Sequence, residues 1–471
     1  MAGWALALML CGQARAQEAG PEYVLTLSSL ASVHVDLDLP SAPSSLYMMT
    51  DASGDSENGF APFVKNLTLQ CGGKPVALRR QGASWKVAGT GGCRAHYDVD
   101  LSFATQHWPP GNEQAAFTDG KGMFAVSKAL FIESDLSGER SLKIHKPAVW
   151  QLKTPWAADP HGVFHFQRDE ILQDLIAFGD LTSDTTAAGV FRVTIVTFGI
   201  LRAQQLAVKE IVDKVSAQYN AIFPDTEPAS FLVVLIPGGQ DDGEAYSHGF
   251  ASTMHAPLRP DEKIVWANTI AHEIFHHWNG KTIHMDTELE WFKEGFTEYN
   301  ANLALIRAGE IGPADFLQKA ATMIGQYEYF MFSGLFKDVT LLSAGQQKGP
   351  YRFGVYAAGW VMGFATDQEI RTATDGAKTL DDLMRLLLTE THDRPLTEAI
   401  YLQAVESLAG AQARARIEHA ISTRDSIHPE QWLEAMGMHV DGQSYQAEYY
   451  IHPDPNASPA ALARRHQWAN F

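Results

Sequence analysis

The spacing of hydrophobic and polar residues changes character near residue 182. Upstream of it, apolar residues recur at every second position, as in VHVDLDL (residues 33–39) and YDVDL (residues 97–101). A period of two predicts strands with one buried face, and the Gly, Pro, Ser and Asn residues between the apolar runs predict turns. Residues 17–182 are therefore predicted to form an N-terminal antiparallel β domain.

Strands and helices alternate in the next part of the chain. FRVTIVTF (191–198) and FLVVLI (231–236) are typical of buried strands, and apolar residues recur at helical spacing over 208–222 between them. Residues 264–278 again have helical periodicity and stop at Asn279 and Gly280. We predict a small sheet with one edge beside this last helix, where an extended peptide could add as a further strand.

The last third of the chain is predicted to be mainly helical. Thr379 followed by Asp382 has the spacing of a capping box ahead of an apolar helical run. The tail beyond about Gly442 is rich in Pro, Ala and Asn, and we expect it to be loosely held.

Length and charge narrow the possible functions. A chain of 471 residues is too long for one compact core and favours two or three domains. With 45% hydrophobic and 10% aromatic residues it is expected to fold. The net charge of −19 argues against nucleic acid and anionic membrane surfaces as partners.

The first residues, MAGWALALMLCGQARAQ, resemble a secretory signal. An apolar run is followed by Ala14-Arg15-Ala16, the A-x-A pattern of signal-peptide cleavage. We predict removal of residues 1–16, a secreted or periplasmic location in a bacterium, and no membrane insertion, because the run is too short to span a bilayer. In an oxidising compartment Cys71 and Cys93 can form a disulfide or remain thiols, and their spacing does not decide between the two.

Candidate chemistry is concentrated in AHEIFHHWNG (271–280), which contains the motif HExxH. On a helix, His272 and His276 project from one face one turn apart and can share a metal ion. Zinc suits them because it accepts neutral imidazole nitrogens and imposes little geometry of its own. Glu273 lies one step further round, where it can reach a water at the metal and act as a general base. The motif therefore predicts one bound Zn²⁺ ion.

A third ligand is expected from WFKEGFTEY (291–299). Glu294 is the candidate, with Glu288 and Glu290 as rivals. Glu298 lies four residues after Glu294 on a predicted helix. It could accept a hydrogen bond from a ligand imidazole and so fix the tautomer and orientation of that ring.

Three segments, HEIFHHWN, WFKEGFTEYNANLALIRAGEIGPADFL and YAAGWVMGFATDQEIRTATDGAKTLDDLMRLL, together resemble the glycyl-aminopeptidase family, peptidase family sixty-one of the metallo class. The resemblance covers about residues 193–440 and extends more distantly to the alanyl aminopeptidases of the same gluzincin clan. It implies zinc on His272, His276 and Glu294, with Glu273 as the base.

The same resemblance implies a catalytic tyrosine at Tyr356, whose phenol would donate a hydrogen bond to the oxyanion. Tyr351 is its local rival. The implied fold is α+β, with a thermolysin-like zincin domain over residues 183–370 and a C-terminal helical region and tail over 371–471. Family members commonly carry a C-terminal PDZ domain, and the chain after Val440 is too short for us to expect one here.

One departure concerns the substrate's free amine, which the clan's aminopeptidases hold with a glutamate on the edge segment. The matching stretch here, SHGFASTM (247–254), has no carboxylate, although Glu244 or an acidic side chain from the β domain could substitute. Without such an anchor, the enzyme would cut inside peptides as an endopeptidase. A peptide is the expected substrate in either case.

Two other functions fit the sequence less well. A non-catalytic binding protein could keep the scaffold, but it would have no need for the base, the three ligands and the tyrosine together. A serine or cysteine hydrolase is disfavoured because the chain has no GxSxG motif. We expect His277 to be packed or solvent-facing, whereas His248, His255 and His284 are candidates for lining the cleft.

Overall fold

A computed structural model describes residues 19–50, 56–106, 108–224, 229–239, 242–285, 287–443 and 448–471. The predicted signal peptide, residues 1–16, lies outside the described residues. The described chain divides into two compact units. The first comprises the described residues up to Phe117, with Ala125–Trp150 and Trp156–Asp174, and the second comprises Thr118–Phe124, Gln151–Pro155 and Leu175–Phe471.

The strands of the N-terminal part are mostly short. In chain order they are β1 (Ala19–Thr26), β2 (Ser32–Leu39), β3 (Ser45–Tyr47), β4 (Val64–Cys71), β5 (Lys74–Pro75), β6 (Arg79–Gln81), β7 (Ser84–Lys86), β8 (Cys93–Asp100), β9 (Ala116–Thr118), β10 (Gly122–Val126), β11 (Glu133–Ser134), β12 (Glu139–His145), β13 (Gln151–Lys153), β14 (Val163–Phe166) and β15 (Leu175–Gly179).

Further strands and all the described α-helices follow. The strands are β16 (Thr182–Ala188), β17 (Phe191–Thr197), β18 (Ala229–Gly238), β19 (Asp242–Tyr246), β20 (Gly249–His255), β21 (Met438–Gln443) and β22 (Glu448–Pro453). The helices are α1 (Gln205–Ile222), α2 (Lys263–Phe275), α3 (Glu290–Arg307), α4 (Pro313–Phe332), α5 (Leu341–Gly345), α6 (Lys348–Ala373), α7 (Leu380–Glu390), α8 (Glu398–Ala409), α9 (Ala411–Ser422), α10 (Glu430–Ala435) and α11 (Pro459–Ala469).

The main sheet of the first unit has the strand order β14-β12-β1-β2-β8-β4-β5. The predicted alternation holds in it, since Val33, Val35 and Leu37 are buried while the residues between them are not. The prediction of a purely antiparallel domain was wrong at one pair, because β1 and β12 run parallel. A tight hairpin forces antiparallel pairing, but the long connection between these two strands leaves their direction free. Cys71 and Cys93 face each other across β4 and β8 and form a disulfide.

The second unit contains a sheet in the order β16-β17-β18-β20-β19. Strands β17, β18 and β20 are parallel, and β19 pairs antiparallel with β20 at the edge. The edge segment was predicted at residues 247–254, and this placement was wrong. Residues 247 and 248 form a turn, so the chain folds back and β20 is enclosed between β18 and β19. The strand at this edge of the sheet is therefore the earlier one, Asp242–Tyr246.

The C-terminal part packs into the same unit as the sheet. The predicted capping box is confirmed: the Thr379 side chain accepts a hydrogen bond from the Asp381 amide, and the Thr379 amide donates to Asp382. The expectation of a loosely held tail was wrong, because Trp468 on α11 is fully buried and its indole donates a 2.8 Å hydrogen bond to the Tyr299 hydroxyl. A single large aromatic residue thus anchors a segment whose composition resembles a linker.

The α+β class is confirmed, with several β-sheets in the N-terminal region and a mainly helical C-terminal region. None of the helices that the structure describes combines the length and the apolar character needed to cross a membrane.

Candidate metal centre and active site

Helix α2 carries the HExxH motif and ends earlier than predicted. It stops at Phe275, with His276 at the C-cap position, and residues beyond it continue as turns. The His276 amide still hydrogen-bonds the His272 carbonyl, at 3.3 Å, so the one-turn spacing of the two imidazoles is kept. Beyond the helix, the Ile283 amide donates a 2.8 Å hydrogen bond to the Trp278 carbonyl and the chain turns back.

The structure brings together the three side chains predicted as metal ligands. The two imidazole Nε2 atoms of His272 and His276 are 3.0 Å apart, and the Glu294 Oε2 atom lies 3.3 Å and 3.5 Å from them, respectively. All three residues are buried. Zinc bonds of ~2.0–2.1 Å at tetrahedral angles place ligand atoms about 3.3–3.4 Å apart, so this donor set fits the ion and leaves a fourth position for a non-protein ligand.

The rival carboxylates lie outside this cluster. Glu290 pairs with Lys293 at 3.1 Å, and the Glu288 side chain is exposed. Among the described residues, the metal-competent group in this region contains only Glu294 as a carboxylate.

Hydrogen bonds orient both imidazole rings. Glu298 Oε2 lies 2.9 Å from His272 Nδ1, and the Asn279 carbonyl oxygen lies 3.0 Å from His276 Nδ1. Each acceptor favours the tautomer with the proton on Nδ1 and the lone pair of Nε2 directed into the cluster. Asn279 is itself held against α3, because its side-chain amide donates to Thr297 at 3.0 Å.

The surroundings of Glu298 were not predicted from sequence. The Asn268 amide donates to both carboxylate oxygens of Glu298, at 2.9 Å and 3.0 Å, and Lys319 Nζ lies 2.6 Å from Oε1. Burial favours the protonated form of Glu298, but the Lys319 charge and the His272 hydrogen bond outweigh burial and hold its pKa well below the usual range. Glu298 therefore stays an acceptor for the His272 ring.

The electrostatics of the cluster favour a cation. Burial alone would lower the pKa of His272, but its hydrogen bonds to Glu294 and Glu298 raise that pKa to about 10. Burial would likewise raise the pKa of Glu294, yet the neighbouring imidazoles and Lys348 hold it well below its ordinary value. Lys348 Nζ lies 2.6 Å from Glu294 Oε1, which leaves Oε2 to face the histidines. Sequence reasoning missed Lys348 because it lies far along the chain on α6.

Glu273 lies beside the edge strand. A Cβ atom added to Gly243 on β19 would be 3.2 Å from Glu273 Oε1, so the absent side chain leaves room for this carboxylate. Side chains alternate along a strand, which puts Ala245 on the same face as Gly243 and Glu244 on the opposite face. The positions of β19 that face Glu273 thus carry no carboxylate.

Tyr356 is the tyrosine next to the cluster. Its ring is nearly parallel to that of His272, with centroids 5.9 Å apart, and it is partly buried. Burial and then the negative charge of Glu294 raise the pKa of Tyr356 well above its ordinary value, so the phenol keeps its proton. The rival Tyr351 instead packs near Phe336, with ring centroids 6.4 Å apart, at a non-helical position within α6.

Two glycines set the approach of α6 to α3. Gly295, directly after Glu294, and Gly359, one turn after Tyr356, are both buried at the helix crossing. A Cβ atom at Gly295 would overlap the backbone of Gly359, and a Cβ atom at Gly359 would overlap the Trp291 carbonyl oxygen. This close approach sets the separation between the candidate ligand and the candidate oxyanion donor.

The remaining histidines have other surroundings. The His277 ring is partly buried and lies 4.9 Å from the rings of Phe191 and Trp278, so it is a packed residue. Burial and the charge of His248 lower the pKa of His277 to about 4. His284 is exposed, as is His255.

Comparison with known proteins gives a family match that spans the site. The model of the M61 glycyl aminopeptidase family matches residues 265–334, a stretch that contains the three clustered side chains. The prediction that the chain is an enzyme is confirmed: it is a hydrolase, a metallopeptidase. The predicted resemblance to the glycyl aminopeptidases is confirmed over the matched residues.

The fold of most of the chain is similar to that of several solved structures. An aminopeptidase N family protein from Idiomarina loihiensis has a TM-score of 0.77 at 18% identity, covering 90% of this chain and 79% of its own. An M1 zinc metallopeptidase from Deinococcus radiodurans has a TM-score of 0.54 at 14% identity, covering 86% and 93%. A mutant of an M1 zinc metallopeptidase from the same organism, with a Tyr-Ser-Ala substrate bound, has a TM-score of 0.53 at 13% identity, covering 86% and 94%. Identities this low support the fold alone. No curated protein matches the sequence.

Proposed function

We propose that this protein is a zinc-dependent peptidase, aminopeptidase-like and of the gluzincin clan, with a thermolysin-like catalytic domain over about residues 183–370. The observation that carries the proposal is the buried cluster of His272, His276 and Glu294. Glu273 and β19, the last strand of its sheet, lie next to it. We also propose export to the periplasm or the medium, on the strength of the signal-like residues 1–16.

Each side chain has a distinct part in the proposed hydrolysis. His272, His276 and Glu294 would hold the zinc ion, which would supply a Lewis acid and make water acidic enough to give hydroxide near neutral pH. Glu273 takes a proton from the attacking water and delivers it to the leaving amine. Tyr356, which stays protonated, donates a hydrogen bond to the oxyanion that develops on the attacked carbonyl. Glu298 keeps the His272 ring in its ligating tautomer.

The substrate's main chain is proposed to lie along β19. This strand is the edge of its sheet and one of its glycines adjoins Glu273, so an added peptide strand would pass next to the base. Backbone hydrogen bonds to β19 would then hold the peptide, and the cleft side chains would select its residues.

Metal removal tests the proposal directly. Dialysis against a chelator is expected to abolish hydrolysis of a mixed peptide library, and a stoichiometric addition of Zn²⁺ should restore it, because zinc would both activate the attacking water and stabilise the developing charge. The products are followed by mass spectrometry, and zinc is measured by elemental analysis. A zinc-loaded protein that hydrolyses no peptide would instead support a binding protein on the same scaffold.

The variant Tyr356→Phe is expected to lower kcat by about 10²–10³-fold with little change in zinc content. The substitution removes the hydroxyl but keeps the ring that stacks on His272. Tyr351→Phe is the matched control and should stay close to the wild-type rate. If the two variants exchange these results, the oxyanion donor is Tyr351 and the assignment of Tyr356 is wrong.

Endopeptidase action is the second candidate, and the geometry of β19 favours it. An aminopeptidase holds the free amine of its substrate, yet Gly243 and Ala245 face the base and Glu244 points to the other side of the sheet. The same library digest separates the two activities. Successive loss of N-terminal residues identifies an aminopeptidase, and internal cuts identify an endopeptidase.

A further inference from the structure

Two paired strands of the first unit carry the same sequence pattern, H-x-D-x-D, at residues 34–38 of β2 and 96–100 of β8. The residues between the polar positions are buried on both strands. All the histidines and aspartates of the pattern therefore lie on the outward face of the sheet. This arrangement concentrates imidazoles and carboxylates that neither the core nor the proposed peptidase reaction requires.

The antiparallel register brings unlike groups together. His34 is opposite Asp98, and Asp36 is opposite His96. The two imidazole rings are nearly parallel, at 13°, with centroids 6.4 Å apart. The Asp36 carboxylate contacts both of them: its Oδ1 atom lies 3.4 Å from His34 Nε2 and is hydrogen-bonded to His96 Nδ1.

The donor atoms fit one metal ion. One ligand atom from each of His34, Asp36 and His96 lies within 4.8 Å of the other two. Tetrahedral zinc with bonds of ~2.0–2.1 Å requires separations of about 3.3–3.4 Å, and the 3.4 Å between Asp36 Oδ1 and His34 Nε2 already has this value. The register of β2 with β8 holds the three side chains beside one another on one face of the sheet.

Surrounding groups orient one of the histidines as they do in metal sites. Asp98 Oδ1 lies 2.8 Å from His34 Nδ1, which favours a proton on Nδ1 and turns the Nε2 lone pair towards Asp36. The other oxygen of Asp98 accepts a 2.8 Å hydrogen bond from the Asn66 side chain. Asn66 is in the left-handed region, with φ of 54°, at a register shift between β4 and β8. Such a bulge redirects a side chain, and here it directs Asn66 onto Asp98.

We propose that His34, Asp36 and His96 form a second metal site, which binds a divalent transition-metal ion and for which Zn²⁺ is the best match. Two imidazole nitrogens and one carboxylate oxygen are the ligand types that zinc prefers, and water would complete the coordination. The site shares no residue with the cluster on α2 and α3. Its occupation would tie β2 to β8 and stabilise the first unit through binding to the folded state.

Exposure makes this site weaker than the buried cluster. The side chains of His34 and His96 are 42% exposed and that of Asp36 is 36% exposed. Water therefore competes with the ion for these side chains. The Asp98 hydrogen bond raises the pKa of His34, so a proton competes as well. We therefore expect the ion at this site to exchange with the solution, whereas an ion in the buried cluster should be retained through dialysis.

Metal stoichiometry tests the proposal. The metal-free wild-type chain, titrated with Zn²⁺ by isothermal calorimetry, is expected to bind about two equivalents, and the metal-free His34→Asn, His96→Asn double variant about one, because each lost imidazole removes a ligand. Asp98→Asn should keep the site but weaken it by about 10–100-fold, since Asp98 only orients a ligand. Circular dichroism of the metal-free variants checks that they are folded.

The control is His165→Asn. His165 has similar exposure, at 43%, and contacts two carboxylates, those of Glu139 and Asp159, at 3.3 Å. It is not part of a metal-competent group among the described residues, so its replacement should not change the stoichiometry. An unchanged stoichiometry in the folded double variant, or an equal loss in the control, would overturn the second site. Neither result depends on the α2 cluster, whose metal is measured separately with His272→Asn.

Discussion

The variant Glu273→Gln is expected to lose about 10²–10⁴-fold in kcat while it keeps its zinc, the range that a positioned general base contributes. Glutamine has nearly the same shape as glutamate, so the gap beside Gly243 remains filled. It cannot accept a proton at neutral pH. Glu273 is outside the ligand cluster, and its replacement therefore leaves all three donor atoms in place.

Zinc content and rate together decide this prediction. Glu262→Gln is a suitable control, because it makes the same change of charge at the start of the same helix, where Glu262 pairs with Arg259. Its rate should match the wild type. If Glu273→Gln were as active as the control with zinc bound, another group would have to be the base. If it lost zinc, Glu273 would be part of the metal centre.

Local spacing was enough to predict that the two imidazoles and the Glu273 carboxylate lie close together. His272, Glu273 and His276 are within one helical turn, so their relative positions follow from helix geometry alone. Glu294 and Glu298 could be proposed because WFKEGFTEY has a recognisable pattern. Each of these predictions depends on residues that are close in sequence, even where the two segments meet only in the folded chain.

The groups that sequence reasoning missed depend on tertiary packing. Lys348 reaches Glu294 from a different helix, and Lys319 reaches Glu298 from another. A lone lysine on an amphipathic helix gives no signal that distinguishes it from a solvated one. Asn268 was more accessible to prediction, since it lies one turn before His272 on the same helix and could reach the same neighbouring carboxylate.

Strand order was harder to predict than strand existence. The alternation of VHVDLDL predicted the buried and exposed faces of β2, but no local pattern determines which strand pairs with β12. The sheet edge was misplaced for the same reason. A two-residue turn decides whether DGEAY or the following strand is outermost, and the burial pattern of such short segments fits either arrangement.

Gly359→Ala is expected to destabilise the second unit by about 1–3 kcal/mol, the usual cost of overpacking a core, and to reduce activity by more than that loss alone would cause. Alanine is intrinsically favoured over glycine in a helix by about 1 kcal/mol, but the added Cβ would overlap the Trp291 carbonyl oxygen and lie 2.8 Å from the Gly295 Cα. The clash involves backbone, which cannot rotate away. The two helices must therefore move apart.

Moving the helices apart would also move Glu294 away from Tyr356. Glu294 directly precedes Gly295, and Tyr356 lies one turn before Gly359. A misplacement of about 1 Å can cost 10²-fold in rate, so activity should fall even at temperatures where the variant is fully folded. Two other glycines of α6 provide a graded series. A Cβ at Gly363 would lie 3.3 Å from the Tyr299 Cβ, and one at Gly349 has nothing within 4 Å. Thermal and urea unfolding should rank Gly349→Ala as most stable, then Gly363→Ala, then Gly359→Ala. Equal stability of all three would mean that the glycine crossing does not set the distance between the helices.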